Sequence, residues 1–199
     1  MTTFADVLAR QLRADSGRPL ITFYDDATGE RVELSVTTYA NWVAKTASLL
    51  AEEHDLERGQ RLHVDLPAHW LGPVLLGAAW AVGLVVCGPD DDPDAVVCGP
   101  DALARWAARA EELPVLACSL LPLGVRFADP LPPGVHDVGV EVWSQPDAFV
   151  AWDPPTADDP ATGPAYGSLT QAETWRTAAA GSLLADGGRL LSEANPASP

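Results

Sequence analysis

The chain has 199 residues, enough for one good-sized domain, and 47% of them are hydrophobic, enough to bury a core. Its 28 acidic residues outnumber its 12 basic ones, and the formal net charge of −16 argues against binding nucleic acid or an anionic membrane through bulk electrostatics. The N-terminus shows no signal-peptide pattern, and the longest apolar run, residues 71–87, is broken by Pro73, Gly77 and Gly83. We therefore expect a cytoplasmic protein without a membrane-spanning segment.

The N-terminal part of the sequence predicts a helix, a β-hairpin and a second helix. Thr3 is a good N-cap for the first helix, and Ser35 or Thr37 would cap the second. Between the helices, two apolar runs flank the turn-rich segment DDATGE, which is the pattern of a hairpin. The predicted elements are a helix over residues 4–13, strands over 20–24 and 31–34, and a helix from there to about 53.

The middle of the sequence alternates strands and helices. Leu62, Val64 and Leu66 fall on one face of a strand, which leaves His63 on the outward, exposed side. The next helix is apolar almost all round, which indicates a core position, and Gly83 ends it as a residue free to take positive φ. The predicted elements are strands over 61–66, 84–87, 95–98 and 114–118, and helices over 69–82 and 101–112. This order is typical of a parallel α/β layer.

The C-terminal part is less regular and rich in proline and glycine before it turns helical again. Ser168 or Thr170 would cap the last predicted helix, and a strand would begin after a Gly-Gly turn near residue 188. The remaining predicted elements are strands within 138–143 and over 149–152, a loop over 153–167, and a helix over roughly 171–184.

The stretch LERGQRLHVDLPAHWLGPVLLGAAWAVGLVVCGPD resembles the early core of the adenylate-forming (AMP-binding) superfamily, which includes acyl-CoA synthetases. Those proteins carry a Gly-Asp-Arg-Val strand, an apolar helix and a Gly-x-Val-Val-x-Pro strand in this order. The chain is also similar to a small uncharacterised actinobacterial family that itself resembles AMP-binding enzymes. The resemblance implies an α/β fold: a partial adenylate-forming N-terminal domain, with a parallel-rich sheet layered with helices, plus an N-terminal helix and a β-hairpin. Residues 1–199 would form one truncated domain of this kind.

The superfamily's phosphate-binding loop, Tyr-Thr-Ser-Gly-Thr-Thr-Gly-x-Pro-Lys-Gly, corresponds here to the segment AWDPPTADDPATG. Alanine stands where the lysine belongs, and Lys45 lies too far upstream to replace it. Prolines have no amide hydrogen to donate, and aspartates place negative charge where phosphate would arrive. Loss of ATP binding is therefore expected, although magnesium could bridge carboxylate and phosphate. The degenerate phosphate-loop position comprises Trp152, Asp153, Pro154, Pro155, Thr156, Asp158, Asp159, Pro160 and Ala161.

No other residue pattern in the sequence indicates a catalytic or metal site. The three cysteines are expected to be reduced and buried, since their count is odd and no CxxC is present. The acidic run from Asp90 to Asp94 reads as a solvated loop and lacks the spacing of an EF-hand. His54 and His136 have no partner in sequence, and no Gly-x-Ser-x-Gly elbow is present. Trp42 and Trp70 are candidates for a contact surface.

Three functional hypotheses follow from these observations. The first is a pseudoenzyme: a non-catalytic derivative of the acyl-adenylating domain that acts as a binding module, either self-associating or binding another protein, with no cofactor and no catalytic residue. The second is an acyl-activating, AMP-forming ligase that needs further C-terminal residues or a partner chain. The third is an incomplete reading frame without independent function.

Overall fold

The computed structural model, which describes residues 2–181 and 188–192, begins with the predicted helix, hairpin and second helix. Thr3 and Asp6 form a capping box at the start of the first helix. Ser35, and not Thr37, caps the second, because its Oγ accepts the amide of Thr38 at 3.1 Å. These elements are α1 (Phe4–Asp15), β1 (Pro19–Asp25), β2 (Glu30–Ser35) and α2 (Val36–Ser48), which continues into a π-helical turn (Leu49–Glu53).

The rest of the fold is a five-stranded parallel sheet with helices on both faces. Its strands are β3 (Arg61–Asp65), β4 (Val85–Cys87), β5 (Ala95–Cys98), β6 (Val115–Ala117) and β7 (Val135–Asp137). Its helices are α3 (Leu71–Val82), α4 (Leu103–Ala107), α5 (Val138–Glu141) and α6 (Gln171–Gly181). The strand order is β4-β3-β5-β6-β7, and every pairing is parallel. The predicted α/β class with a parallel sheet, an N-terminal helix and a hairpin is confirmed.

The main core lies between α3 and the helices α1 and α2, on one face of the sheet. Gly77 in α3 allows this close packing, since a Cβ there would lie 2.4 Å from Tyr39 Oη and 2.8 Å from Phe4 Cζ. Gly83 ends α3 in the left-handed conformation with φ 94°, as predicted. The apolar sequence of α3 therefore reflects burial on nearly every side.

A second, smaller core covers the other face of the sheet around Trp106 of α4. Because both faces are covered, the prediction that His63 is exposed is wrong: the side chain is buried, and its ring centroid lies 5.4 Å from that of Trp106. Alternation along a strand separates two faces, but it identifies an exposed one only where that face of the sheet is open to solvent.

Several predicted elements differ from the observed ones. The predicted strand within 138–143 is wrong, since Asp137 caps a helix there by accepting the amide of Gly139 at 2.9 Å, and the strand precedes it. No strand forms over 149–152, which runs along the surface. The predicted helix 101–112 is shorter, and α4 ends at Ala107 in a series of turns.

The last described helix, α6, starts at the residue that the sequence predicts. Thr170 and Glu173 form a capping box at the start of α6, with Thr170 Oγ1 accepting the amide of Glu173 at 3.2 Å. The predicted continuation of α6 to residue 184 lies outside the described residues, and the described residues 188–192 form no strand. Across the described parts of the chain, no helix has the length and apolar character needed to span a membrane.

Candidate functional site

The carboxyl edge of the parallel sheet is where ligands bind in open α/β folds. Asp65 ends β3 at this edge, and the acidic loop from Gly88 to Asp94 follows β4 there. The side chains and amides at this edge, and the place of the degenerate phosphate-loop position relative to it, therefore decide whether a phosphate site is present.

The segment after the degenerate position runs alongside β4 and extends the sheet. Val86 donates its amide to the Ala161 carbonyl at 3.0 Å and accepts the amide of Gly163 at 2.7 Å, forming a parallel bridge between Val86 and Thr162. A parallel partner runs in the same direction as β4. Residues before Ala161 therefore lie at the amino edge of the sheet, and residues after Thr162 lie at the carboxyl edge.

Arg58 holds the loop at the amino edge. Its guanidinium, in the turn before β3, contacts the carboxylate of Asp153 at 3.0 Å and that of Asp159 at 2.8 Å. Burial acts to raise the pKa of Asp159, but hydrogen bonds from Arg58 and Thr156 outweigh it and hold that pKa below its ordinary value. The hydrogen bond to Asp159 in turn raises the pKa of Arg58. The cation at this loop is therefore already paired with protein carboxylates.

The individual residues of the degenerate position are mostly exposed. Thr156 donates its amide to Asp159 Oδ2 at 2.6 Å, and Pro155 packs beside Gly83 at the amino end of β4. Trp152 projects fully into solvent, with 102% relative exposure. Asp153, Pro154, Asp158 and Pro160 are also exposed, whereas Ala161 is buried.

At the carboxyl edge, the chain makes a tight turn over residues 162–169 that satisfies its own amides. Of its eight residues, Pro164 has no amide hydrogen. The other seven amides all donate within the protein: Thr162 to Leu169 O, Gly163 to Val86 O, Ala165 to Asp91 Oδ2, Tyr166 to Gly163 O, Gly167 to Pro164 O, Ser168 to Gly163 O and Leu169 to Thr162 Oγ1. This glycine-containing turn therefore offers no free amide to a phosphate group.

Asp91 places a carboxylate at the β4 end of this edge. Its Oδ2 accepts the amide of Gly88 at 2.8 Å and that of Ala165 at 3.4 Å. Asp94 is likewise used by the protein, since it accepts the amide of Arg61 at 2.7 Å. Part of the acidic run, expected to be a solvated loop, thus joins β3, β4 and the turn after the sheet, while Asp92 is exposed.

The other polar groups at the carboxyl edge are held in structural contacts. His63 Nδ1 donates to the carbonyl of Cys87 at 2.9 Å, and Asp65 accepts the indole N–H of Trp106 at 2.7 Å. Burial raises the pKa of the Cys87 and Cys98 thiols to about 12, so neither is a thiolate at neutral pH. Cys118 is buried as well, and burial of all three thiols is confirmed.

Away from the sheet edge, two histidines that looked isolated in sequence come together. His54 Nε2 and His136 Nδ1 each lie 3.0 Å from one carboxylate oxygen of Glu141. His54 and His136 lie 82 positions apart, so no local sequence pattern could pair them. His136 and Glu141 lie five residues apart, a spacing that does not by itself indicate a shared site.

The remaining candidates have structural roles. Trp70 is buried, so the prediction that it marks a contact surface is wrong. Trp42 packs against it with ring centroids 5.0 Å apart and is half-buried, so its assignment to a contact surface stays a prediction. Lys45 donates to the carbonyl of Gln145 and lies 3.2 Å from Asp147.

The sequence is similar to that of a curated protein. No protein-family model matches the chain. A curated protein of Mycobacterium tuberculosis, whose name gives a numbered family and states no activity, is 42% identical over 150 residues, or 72% of this chain. The chain spans 60% of that relative's length.

Solved structures with the same fold are acyl-CoA ligases. A Brucella canis acyl-CoA synthetase superposes with a TM-score of 0.66 at 15% identity, covering 81% of this chain and 30% of the synthetase. The acetoacetyl-CoA synthetase of Streptomyces lividans superposes with a TM-score of 0.63 at 20% identity, covering 80% of this chain and 27% of that enzyme. The expected partial adenylate-forming N-terminal-domain fold is confirmed: the chain has the fold of that part of an acyl-CoA synthetase.

Proposed function

We propose that this chain is a non-catalytic derivative of an acyl-adenylating domain and works as a binding module. The observation that carries the proposal is the turn over residues 162–169, in which every amide hydrogen is already bonded within the protein. A phosphate site in an α/β fold needs free amides directed at the anion, and positive charge improves it.

The charges around the sheet reinforce this argument. At the carboxyl edge, Asp91 occupies the position between the amides of Gly88 and Ala165 that an anion would require. At the amino edge, the guanidinium of Arg58 is shared between Asp153 and Asp159. A triphosphate would have to displace protein carboxylates at either edge, and like charges about 4 Å apart repel by about 4 kcal/mol at an effective dielectric constant near 20.

Titration calorimetry with ATP and magnesium tests the loss of the phosphate site. We expect no measurable heat from the purified chain up to millimolar ATP, because the turn over residues 162–169 has no free amide and protein carboxylates occupy both edges. An acyl-CoA synthetase titrated in the same buffer serves as the positive control. Binding with a dissociation constant in the micromolar range would overturn the proposal.

Micromolar binding of ATP would favour the alternative function, an acyl-activating ligase that needs further residues or a partner chain. The fold shared with the Brucella canis and Streptomyces lividans enzymes is the observation on its side. An acid-dependent exchange of pyrophosphate into ATP by the chain would then be the next measurement.

The binding surface of the module includes the exposed apolar segment before the Arg58-held loop. Val150 is 90% exposed and Trp152 is 102% exposed, and aromatic side chains are enriched at protein interfaces. We expect the chain to self-associate through this segment, and Trp152→Ala to weaken the dimer at least tenfold in sedimentation velocity. Tyr24→Ala, at an exposed tyrosine of the hairpin, is the matched control. A monomeric wild-type chain at about 100 μM, a concentration where a 1–10 μM dimer would be populated, would contradict this expectation.

A further inference from the structure

Three side chains from separate parts of the fold converge at one end of the helical layer. His54 follows the π-helical turn after α2, His136 lies in β7, and Glu141 ends α5. His54 Nε2 lies 3.0 Å from Glu141 Oε2, and His136 Nδ1 lies 3.0 Å from Glu141 Oε1. One nitrogen from each imidazole and one carboxylate oxygen all fall within 4.8 Å of one another. We call these three residues the His–Glu–His cluster.

The donor set of this cluster matches the preferences of zinc. Two imidazole nitrogens and one carboxylate oxygen form a ligand set that zinc uses in proteins, with a fourth position left for water. Zinc–ligand distances of about 2.0–2.2 Å place tetrahedral ligand atoms about 3.3 Å apart. The ligand atoms, which lie within 4.8 Å of one another, would have to approach by up to about 1.5 Å to reach that spacing. Magnesium and calcium prefer oxygen ligands and would bind this set poorly.

The local backbone positions these ligands and explains why they meet. His54 is reached through a π-helical turn, in which its amide donates to Leu49 O at 3.2 Å, and such turns occur often at functional sites. Its side chain is only 5% exposed, so its orientation is determined by packing. Glu141 sits on a helix capped by Asp137, directly after the edge strand β7.

The environment leaves one side of the cluster open and favours a cation. The side chain of His136 is 42% exposed and that of Glu141 is partly exposed, so water can reach the remaining coordination position. The chain has one lysine, Lys45, and it is paired with Asp147. The net charge of −16 attracts cations to the surface in general.

We propose that His54, His136 and Glu141 form a binding site for a divalent transition metal of the zinc class. The bound ion would join the end of α2 to the β7–α5 corner, linking the helical layer to the last strand of the sheet. The competing interpretation is a hydrogen-bonded clasp, in which the two imidazoles donate to the carboxylate without any metal.

Titration calorimetry with zinc chloride distinguishes the metal site from the metal-free clasp. The chain is first freed of bound metal with a chelator. We expect one zinc ion per chain with a dissociation constant of 10 μM or tighter, and no heat with magnesium chloride. Substitution of cobalt should give the visible absorption bands of a tetrahedral nitrogen–oxygen site. His136→Gln, at an exposed side chain that can be replaced without disturbing the core, should weaken zinc binding at least tenfold. His54→Gln should do the same.

Asp92→Asn is the matched control, because Asp92 is an exposed carboxylate whose positive φ of 55° asparagine tolerates. It should leave zinc affinity unchanged. Circular dichroism of each variant establishes that it is folded. No zinc binding by the wild-type chain up to about 100 μM, or undiminished binding by a folded His136→Gln variant, would overturn the proposal. The first of these results would leave the hydrogen-bonded clasp as the role of the cluster.

Discussion

Replacing Trp106 with alanine should destabilise the folded chain by about 3–5 kcal/mol, the cost typical of removing a large buried aromatic. The side chain is 2% exposed and lies at the centre of the smaller core, against Val96 and Val115 of the sheet. Its indole N–H donates to Asp65 Oδ2 at 2.7 Å, and the guanidinium of Arg105 lies 4.7 Å from the ring centroid. Alanine would leave a cavity beneath β5 and β6 and remove the hydrogen bond.

Urea denaturation at neutral pH measures this loss. The matched control is the same substitution at Trp152, with both variants measured at a protein concentration below about 0.1 μM, where a dimer of micromolar affinity is dissociated; there it should change the free energy of unfolding by less than about 0.5 kcal/mol because that side chain is fully exposed in the single chain. Trp106→Phe should fall between the two, since it keeps most of the buried volume and loses the hydrogen bond to Asp65. If Trp106→Ala and Trp152→Ala had equal effects, the second core would not contribute to stability as the structure indicates.

Local sequence patterns were sufficient to predict the centre of the fold. The apolar helix α3, its end at Gly83 and the short strands on either side are all determined by residues close together in sequence. The caps at Thr3 and Ser35 are equally local, because a capping side chain bonds an amide two or three residues away. These elements need no knowledge of tertiary contacts.

The errors came from interactions between distant parts of the chain. Residues 138–143 contain three valines, as a strand could, but Val138 and Val142 pack into the core from a helix that begins at the local cap Asp137. His63 was misjudged because its burial depends on α4, more than thirty residues later. Tertiary context overrides weak local preference in both cases.

The arrangement of the candidate site depends even more on long-range contacts, so less of it could be predicted from the sequence. Residues 160–163 run parallel to β4, and this direction decides which edge of the sheet each part of the degenerate phosphate loop occupies. No pattern in the sequence predicts that direction. The pairing of Arg58 with Asp153 and Asp159 joins positions about a hundred residues apart. Sequence reasoning identified the missing lysine and the prolines, but the self-satisfied turn and Asp91 became visible only in three dimensions.

The stability of the chain should fall as the pH drops from 6.5 toward 4, and His69 should account for roughly 3 kcal/mol of that fall. The side chain is 7% exposed, its Nδ1 accepts the amide of Leu71 at 3.3 Å, and its ring packs 4.9 Å from that of Phe23. Burial lowers the pKa of His69 from 6.5 to about 4, although the charge of Asp25 partly opposes this.

The sign follows from which state binds the proton. Between pH 6.5 and 4 the unfolded chain protonates His69 and the folded chain does not, so acid favours unfolding; above pH 6.5 the contribution is fully present. His69→Asn keeps an acceptor for the Leu71 amide but does not titrate. As the pH falls from 6.5 to 4, the free energy of unfolding of this variant should therefore rise steadily relative to that of the wild type. Protonation of carboxylates affects both proteins alike and cancels in the difference. Urea denaturation of the pair at pH 7.5, 6.0 and 4.5 makes the measurement, and a difference that stays constant with pH would show that His69 takes up its proton as readily in the folded chain as in the unfolded one.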